Sequence, residues 1–149
     1  MSAMVRKWPV LQEHQVTADD LDDGGVVRDD SVARWVDAAH AAYLERCAAL
    51  QREVERSGVR ARARIAHQPP GASLGRATSV VVSAGATEIR PSSFAIAVRL
   101  RPLGGDRDVA VNAACLVHLE DPATGQPYEI GDEIRDELIA MEHAATHFN

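Results

Sequence analysis

Between Val32 and Val54 apolar residues return every three or four positions, and from Ala61 onward they alternate. This change of period restricts the fold more than any other feature of the chain. Val32, Trp35, Val36, Ala39, Tyr43, Cys47, Leu50 and Val54 form one stripe, while Asp37, Glu45, Arg46, Arg52 and Glu55 fall elsewhere, which predicts one long half-buried helix. Asp30 or Ser31 is its expected start, because a short side-chain acceptor meets the free first-turn N–H groups. Ser57 and Gly58 supply the exit.

The alternating runs come in succession. Ala61 to Ala66 is ended by Gln68, Pro69, Pro70 and Gly71, since two prolines cannot donate to a ladder. Thr78 to Ile89 is valine-rich and interrupted by Gly85, which predicts a bend or bulge. Phe94, Ile96, Val98 and Leu100 share one face of the next run, with Ala95, Ala97, Arg99 and Arg101 on the other. A connection from Pro102 to Asp106 then leads to the run from Val109 to Leu119. A strand at His14 to Thr17, a short strand at Gln126 to Ile130 and a terminal helix at Asp132 to His143, anchored by Ile134, Leu138, Ile139 and Met141, complete the reading. Short turns favour antiparallel neighbours. The expected architecture is therefore α+β, a long helix covering one face of an antiparallel sheet.

With 149 residues, 46% of them hydrophobic, residues 1–149 suit one domain with a continuous core. The net charge of −6 repels polyanions, so neither nucleic acid nor an acidic membrane surface is an expected partner. Aromatic residues make up only 4%, too few for base-stacking platforms. Cys47 and Cys115 have no paired metal or redox spacing. Met1 to Leu11 carries Arg6 and Lys7 without a secretory apolar segment, and no apolar run reaches membrane length, so a cytoplasmic location is expected.

Ahead of the helix runs Asp20, Leu21, Asp22, Asp23, Gly24, Gly25, Val26, Val27. Such a turn brings backbone N–H groups and an acid together at a helix start, where a carbonyl can be polarised. Each candidate also has a plainer role. Asp22 can be a turn aspartate, Asp20 a structural residue, Asp23, Asp29 and Asp30 can complement the helix dipole, and Gly24 and Gly25 can serve positive-φ geometry. Read as calcium ligands, the acids have the wrong spacing, since Gly24 replaces a ligand and Ser31 stands where a glutamate belongs. His143 and His147 lie four apart without a third ligand, so no metal is expected.

Taken with Arg34, Trp35, Val36, Asp37, Ala38, Ala39, Tyr43 and Cys47, this stretch resembles the hotdog fold, and within it the hydroxybenzoyl-CoA and related acyl-CoA thioesterases. In that family acid, any residue, acid, two small residues, glycine and two apolar residues lead into the central helix. Asp22 matches the second acid. The resemblance implies hydrolysis of an acyl-CoA or acyl-carrier thioester, with Asp22 as base or nucleophile and the amide of Val26 or Val27 as oxyanion donor. It also implies that Gly24 and Gly25 let the substrate approach the backbone, that His40 faces the substrate cavity, and that sites lie between two protomers of a dimer or a dimer of dimers. No cofactor is implied beyond coenzyme A as part of the substrate. Arg28, Asp29, Asp30 and Ser31 stand where many relatives carry histidine or asparagine and tyrosine. That departure leaves room for an acyl-chain or acyl-CoA binding module; a hydratase or dehydratase using His14 or His40 and a structural dimer with no small ligand are the other readings. Arg60, Arg62 and Arg64 alternate with small residues and could meet coenzyme A phosphates or form a solvated strand face.

Overall fold

The computed structural model describes residues 8–147, with side chains described for residues 8–142. Arg6, Lys7 and the side chains of His143 and His147 lie outside the described residues. Five strands, β1 (Val10–Gln15), β2 (Arg60–His67), β3 (Ser79–Ile89), β4 (Ser93–Leu103) and β5 (Val111–Glu120), form one antiparallel sheet in the order β1-β3-β4-β5-β2. Three helices accompany it, α1 (Asp29–Glu45), α2 (Ala48–Ser57) and α3 (Asp132–His147).

Alternation within the strands decides the layers. Val80, Val82 and Ala84 of β3, Ile96, Val98 and Leu100 of β4, and Cys115, Val117 and Leu119 of β5 are buried on one face. Helix α1 lays Val32, Trp35, Val36, Ala39 and Tyr43 on that face. At the β1 edge the His14 ring stacks on Trp35 with centroids 6.0 Å apart.

The apolar stripe expected as one helix is two helices. Arg46 closes α1, and Cys47 leaves helical geometry with φ −83° and ψ 72°. The start of α2 is capped from far away in sequence: the Glu137 carboxylate of α3 accepts the Ala49 amide at 3.0 Å. Both halves bury the same face, Tyr43 before the break and Leu50 after it, so periodicity does not reveal the bend. Gly58 ends α2 at φ 72°, as expected of a glycine exit.

Three smaller expectations are corrected. β1 lies earlier than His14 to Thr17, because Val10 is the residue that faces the core. Gln126 to Ile130 forms no strand, contributing only a bridge between Glu120 and Pro127. Ile139 is 52% exposed, since the buried stripe of α3 follows Ile134 and Leu138. The break expected near Gly85 is present as a register shift between Ala86 and Glu88. A Cβ on Gly85 would lie 2.8 Å from Oε1 of Glu142.

β2 pairs with β5 on one side, and among the described residues no strand pairs with its other edge. All eight of its residues are exposed. Ala61, Ala63 and Ile65 face the same way as their buried partners Leu119, Val117 and Cys115, so the apolar face of the sheet continues onto β2 without cover. No helix among the described residues is long and apolar enough to cross a membrane.

Candidate active site

The turn before α1 is built around Asp20, which is 4% exposed. Its Oδ2 accepts the Thr17 amide at 2.9 Å, and its Oδ1 accepts the Ser31 hydroxyl at 2.9 Å and the Arg34 guanidinium. Burial alone would raise the Asp20 pKa. The amide, hydroxyl and guanidinium donors outweigh it and hold the carboxyl below its usual value. Asp20 therefore fastens the turn to the first turns of α1.

Asp22 lies two residues on and is exposed. Its Oδ1 accepts the Gly24 amide at 2.8 Å and the Val26 amide at 3.0 Å, while the Asp22 amide donates to the Val26 carbonyl at 2.8 Å. Gly25 takes φ 78°, a conformation that glycine adopts at little cost because it has no β-carbon. The turn is tied down from outside by Arg76, whose Nε donates to the Gly24 carbonyl at 3.2 Å. Oδ2 of Asp22 takes part in none of these bonds.

An open cleft of about 490 Å³ lies against this turn, lined by Asp22, Val26, Val27, Arg28, Asp29, Asp30 and Ala72. Ala72 comes from the 3₁₀ turn Gly71–Leu74, which Asp29 holds by accepting the Gly71 amide on Oδ1 at 2.7 Å. Arg28 and Asp30 pair at 3.0 Å on the rim.

Two of the amides expected to hold an oxyanion are engaged within the chain. That of Val26 is on Asp22, and that of Val27 donates to the Gly75 carbonyl at 2.9 Å. The amides at the cleft that a helix leaves without carbonyl partners are those of its first turn, at Asp29 and Asp30. His40 is not among the residues lining the cleft. It sits eighteen positions beyond Asp22, half-buried on the flank of α1, with both ring nitrogens enclosed and unpartnered, and burial lowers its pKa. The sequence held no signal for Arg76 at the turn or Ala72 at the cleft, since both arrive there only through folding.

A second groove, of about 580 Å³, runs between the end of α1, α2 and the start of β2, with Leu44, Leu50 and Val54 on its floor and Arg60 and Arg62 at its rim. Helix α1 and strand β2 run in opposite directions: Leu44 shares this groove with Arg60, while the far end of β2 leads into Gly71, which packs on Val27 and Arg28.

No protein-family model matches the chain, and no curated protein does. Solved structures do. The chain is similar to a thioesterase from Thermus thermophilus complexed with coenzyme A and zinc, at 21% identity and a TM-score of 0.63, over 93% of this chain and 98% of that one. A variant of 4-hydroxybenzoyl-CoA thioesterase complexed with 4-hydroxybenzoyl-CoA matches at 18% identity and a TM-score of 0.58, over 90% and 99%. The 12:0-ACP thioesterase from Umbellularia californica matches at 11% and 0.66, over 89% of this chain and 53% of that one. At these identities the likeness is one of backbone architecture, and by that measure the chain has the hotdog fold of these thioesterases.

Proposed function

We propose that the protein hydrolyses an acyl thioester, with Asp22 as the catalytic carboxylate. The observation that carries this reading is the Asp22 carboxylate, fixed through one oxygen by the Gly24 and Val26 amides and leaving the other for chemistry, beside the first turn of α1, whose amides have no helical carbonyl partner. As a base, Oδ2 takes a proton from water as the water oxygen attacks the thioester carbon; as a nucleophile, it attacks that carbon itself. In both cases the carbonyl oxygen gains negative charge, which the Asp29 and Asp30 amides and the positive end of the helix dipole stabilise. Collapse expels the thiolate, which takes up a proton; on the nucleophilic route the acyl group is left on Asp22 as a mixed anhydride, which water hydrolyses to the free acid and the restored carboxylate.

In the isolated chain Asp22 is exposed, and a second copy supplies the missing wall. Antiparallel pairing of two β2 edges satisfies the edge hydrogen bonds and joins the Ala61, Ala63 and Ile65 faces of the two copies into one continuous apolar surface. Because α1 and β2 run oppositely, that pairing brings the Leu44 and Val54 groove of one copy toward the Asp22 cleft of the other. A hydratase reading has less support, since neither His14 nor His40 lines the cleft.

The test is release of free thiol from a panel of acyl thioesters. Asp22→Asn keeps the Oδ1 acceptor and hence the turn, so turnover is expected to fall roughly 10²–10⁴-fold with the melting temperature unchanged. Ligand binding without thiol release by the unmodified protein would instead support an acyl-binding module.

A further inference from the structure

The face of the sheet turned away from α1 carries most of its charge in one sign. Register places Arg60, Arg62 and Arg64 of β2 opposite Glu120, His118 and Leu116, and Leu116 opposite Ala95; Ala97, Arg99 and Arg101 continue that same face of β4. All five arginines are exposed. Arg62 pairs with Glu120 at 3.0 Å, and Glu88 beside Ala95 is taken by Arg90 at 2.9 Å. Arg60, Arg64, Arg99 and Arg101 have no carboxylate partner among the described residues. In a chain of net charge −6, cations are thus gathered on one surface.

Between these arginines lie the half-buried Ala95, Ala97, Ala114 and Leu116. An apolar centre with an arginine rim is the anatomy of a protein interface rather than of a phosphate-backbone track. A second copy laid face to face on this surface is a poor occupant, because that contact sets arginine against arginine, whereas edge pairing along β2 leaves the surface open. The Asp22 cleft, for its part, carries Asp22, Asp29 and Asp30 against the single cation Arg28 of its lining, which Asp30 already pairs, so its net negative lining disfavours a dense anionic group. The two surfaces meet at one end of the molecule: the carbonyl of Leu103, two residues past Arg101, accepts the Thr78 amide at 2.9 Å, and Arg76 just before it reaches Gly24.

We propose that this face docks an acidic carrier protein, which rests its charged body on the arginines while a flexible arm brings the thioester around the sheet end to Asp22. The proposal rests on the thioesterase reading and decides between carrier and coenzyme A as the group delivered.

The test compares the unmodified protein with an Arg99→Glu/Arg101→Glu variant whose thermal melt shows it folded. An acidic acyl carrier protein without its acyl group, fluorescently labelled, is expected to bind the unmodified protein with an affinity that falls as salt rises. The variant is expected to bind it at least about tenfold more weakly. With acylated carrier, kcat/KM is expected to fall by a similar factor, while hydrolysis of an uncharged acyl-pantetheine is unchanged. Equal carrier binding by both proteins overturns the proposal. So does an equal loss with acyl-CoA, which would assign the arginines to nucleotide phosphates. If no thioester is hydrolysed, the thioesterase reading fails, and the binding comparison still decides whether an acidic carrier docks here.

Discussion

Ser31 donates its hydroxyl to Oδ1 of Asp20 at 2.9 Å, joining the turn that carries Asp22 to the first turn of the central helix. The two residues are buried together, and Thr17 and Arg34 bind the same carboxylate. Replacing Asp20 by alanine leaves a buried hydroxyl and an amide without acceptors. Asp20→Ala is expected to lower unfolding free energy by about 3 kcal/mol, read from the denaturant midpoint. The folded pKa of Asp20 is depressed, so its contribution is complete above the unfolded value and is lost as pH falls through the folded one. The unmodified protein should accordingly lose stability below about pH 4, and the variant should lose less there.

Gly71 permits the closest backbone approach beside the cleft. A Cβ there would lie 2.1 Å from the carbonyl oxygen of Val27. Gly71→Ala must push the 3₁₀ turn away from α1 and loosen the bond to Asp29. A loss of roughly 2–4 kcal/mol is expected on thermal or chemical unfolding, because backbone cannot give way as a flexible side chain can.

Glu137 caps α2 from α3, accepting the Ala49 amide. Glu137→Ala is expected to cost about 1 kcal/mol, in the range of a lost helix cap, and Glu137→Gln less. Amide exchange at the start of α2 should quicken in the alanine variant while α1 is unaffected.

His40 is held neutral by burial, against the opposing pull of Asp37, so its folded pKa lies below the unfolded value of 6.5. The unfolded chain takes up that proton first as pH falls. Stability from this residue is complete above the unfolded value and is lost on acidification below it. His40→Leu removes two enclosed nitrogens that have no partners, and is expected to match or exceed the unmodified protein at neutral pH. Between pH 7 and pH 5 its stability should decline less steeply in guanidinium titrations.

The sheet was largely legible because its signals are local. Alternation in β4 and β5 and the proline pair after β2 fix faces and ends within a few residues. The break after Arg46 was not legible, since its cap comes from Glu137 and the apolar stripe runs through it. At the candidate site, the turn geometry of Asp22 and Gly25 follows from residue type and spacing. The engagement of the Val26 and Val27 amides does not, because one partner, Gly75, lies forty-eight residues away and is placed only by β2 and the loop behind it.

Strand β2, bound among the described residues to a neighbour on only one side, gives the isolated chain an uneven exchange record. Amides pointing toward β5 are protected, and the intervening ones, facing water, trade their hydrogens for deuterium quickly. Whatever settles against that edge will slow the fast set and spare the slow one, so alternate labelling along eight residues becomes a direct gauge of how much of the protein is alone.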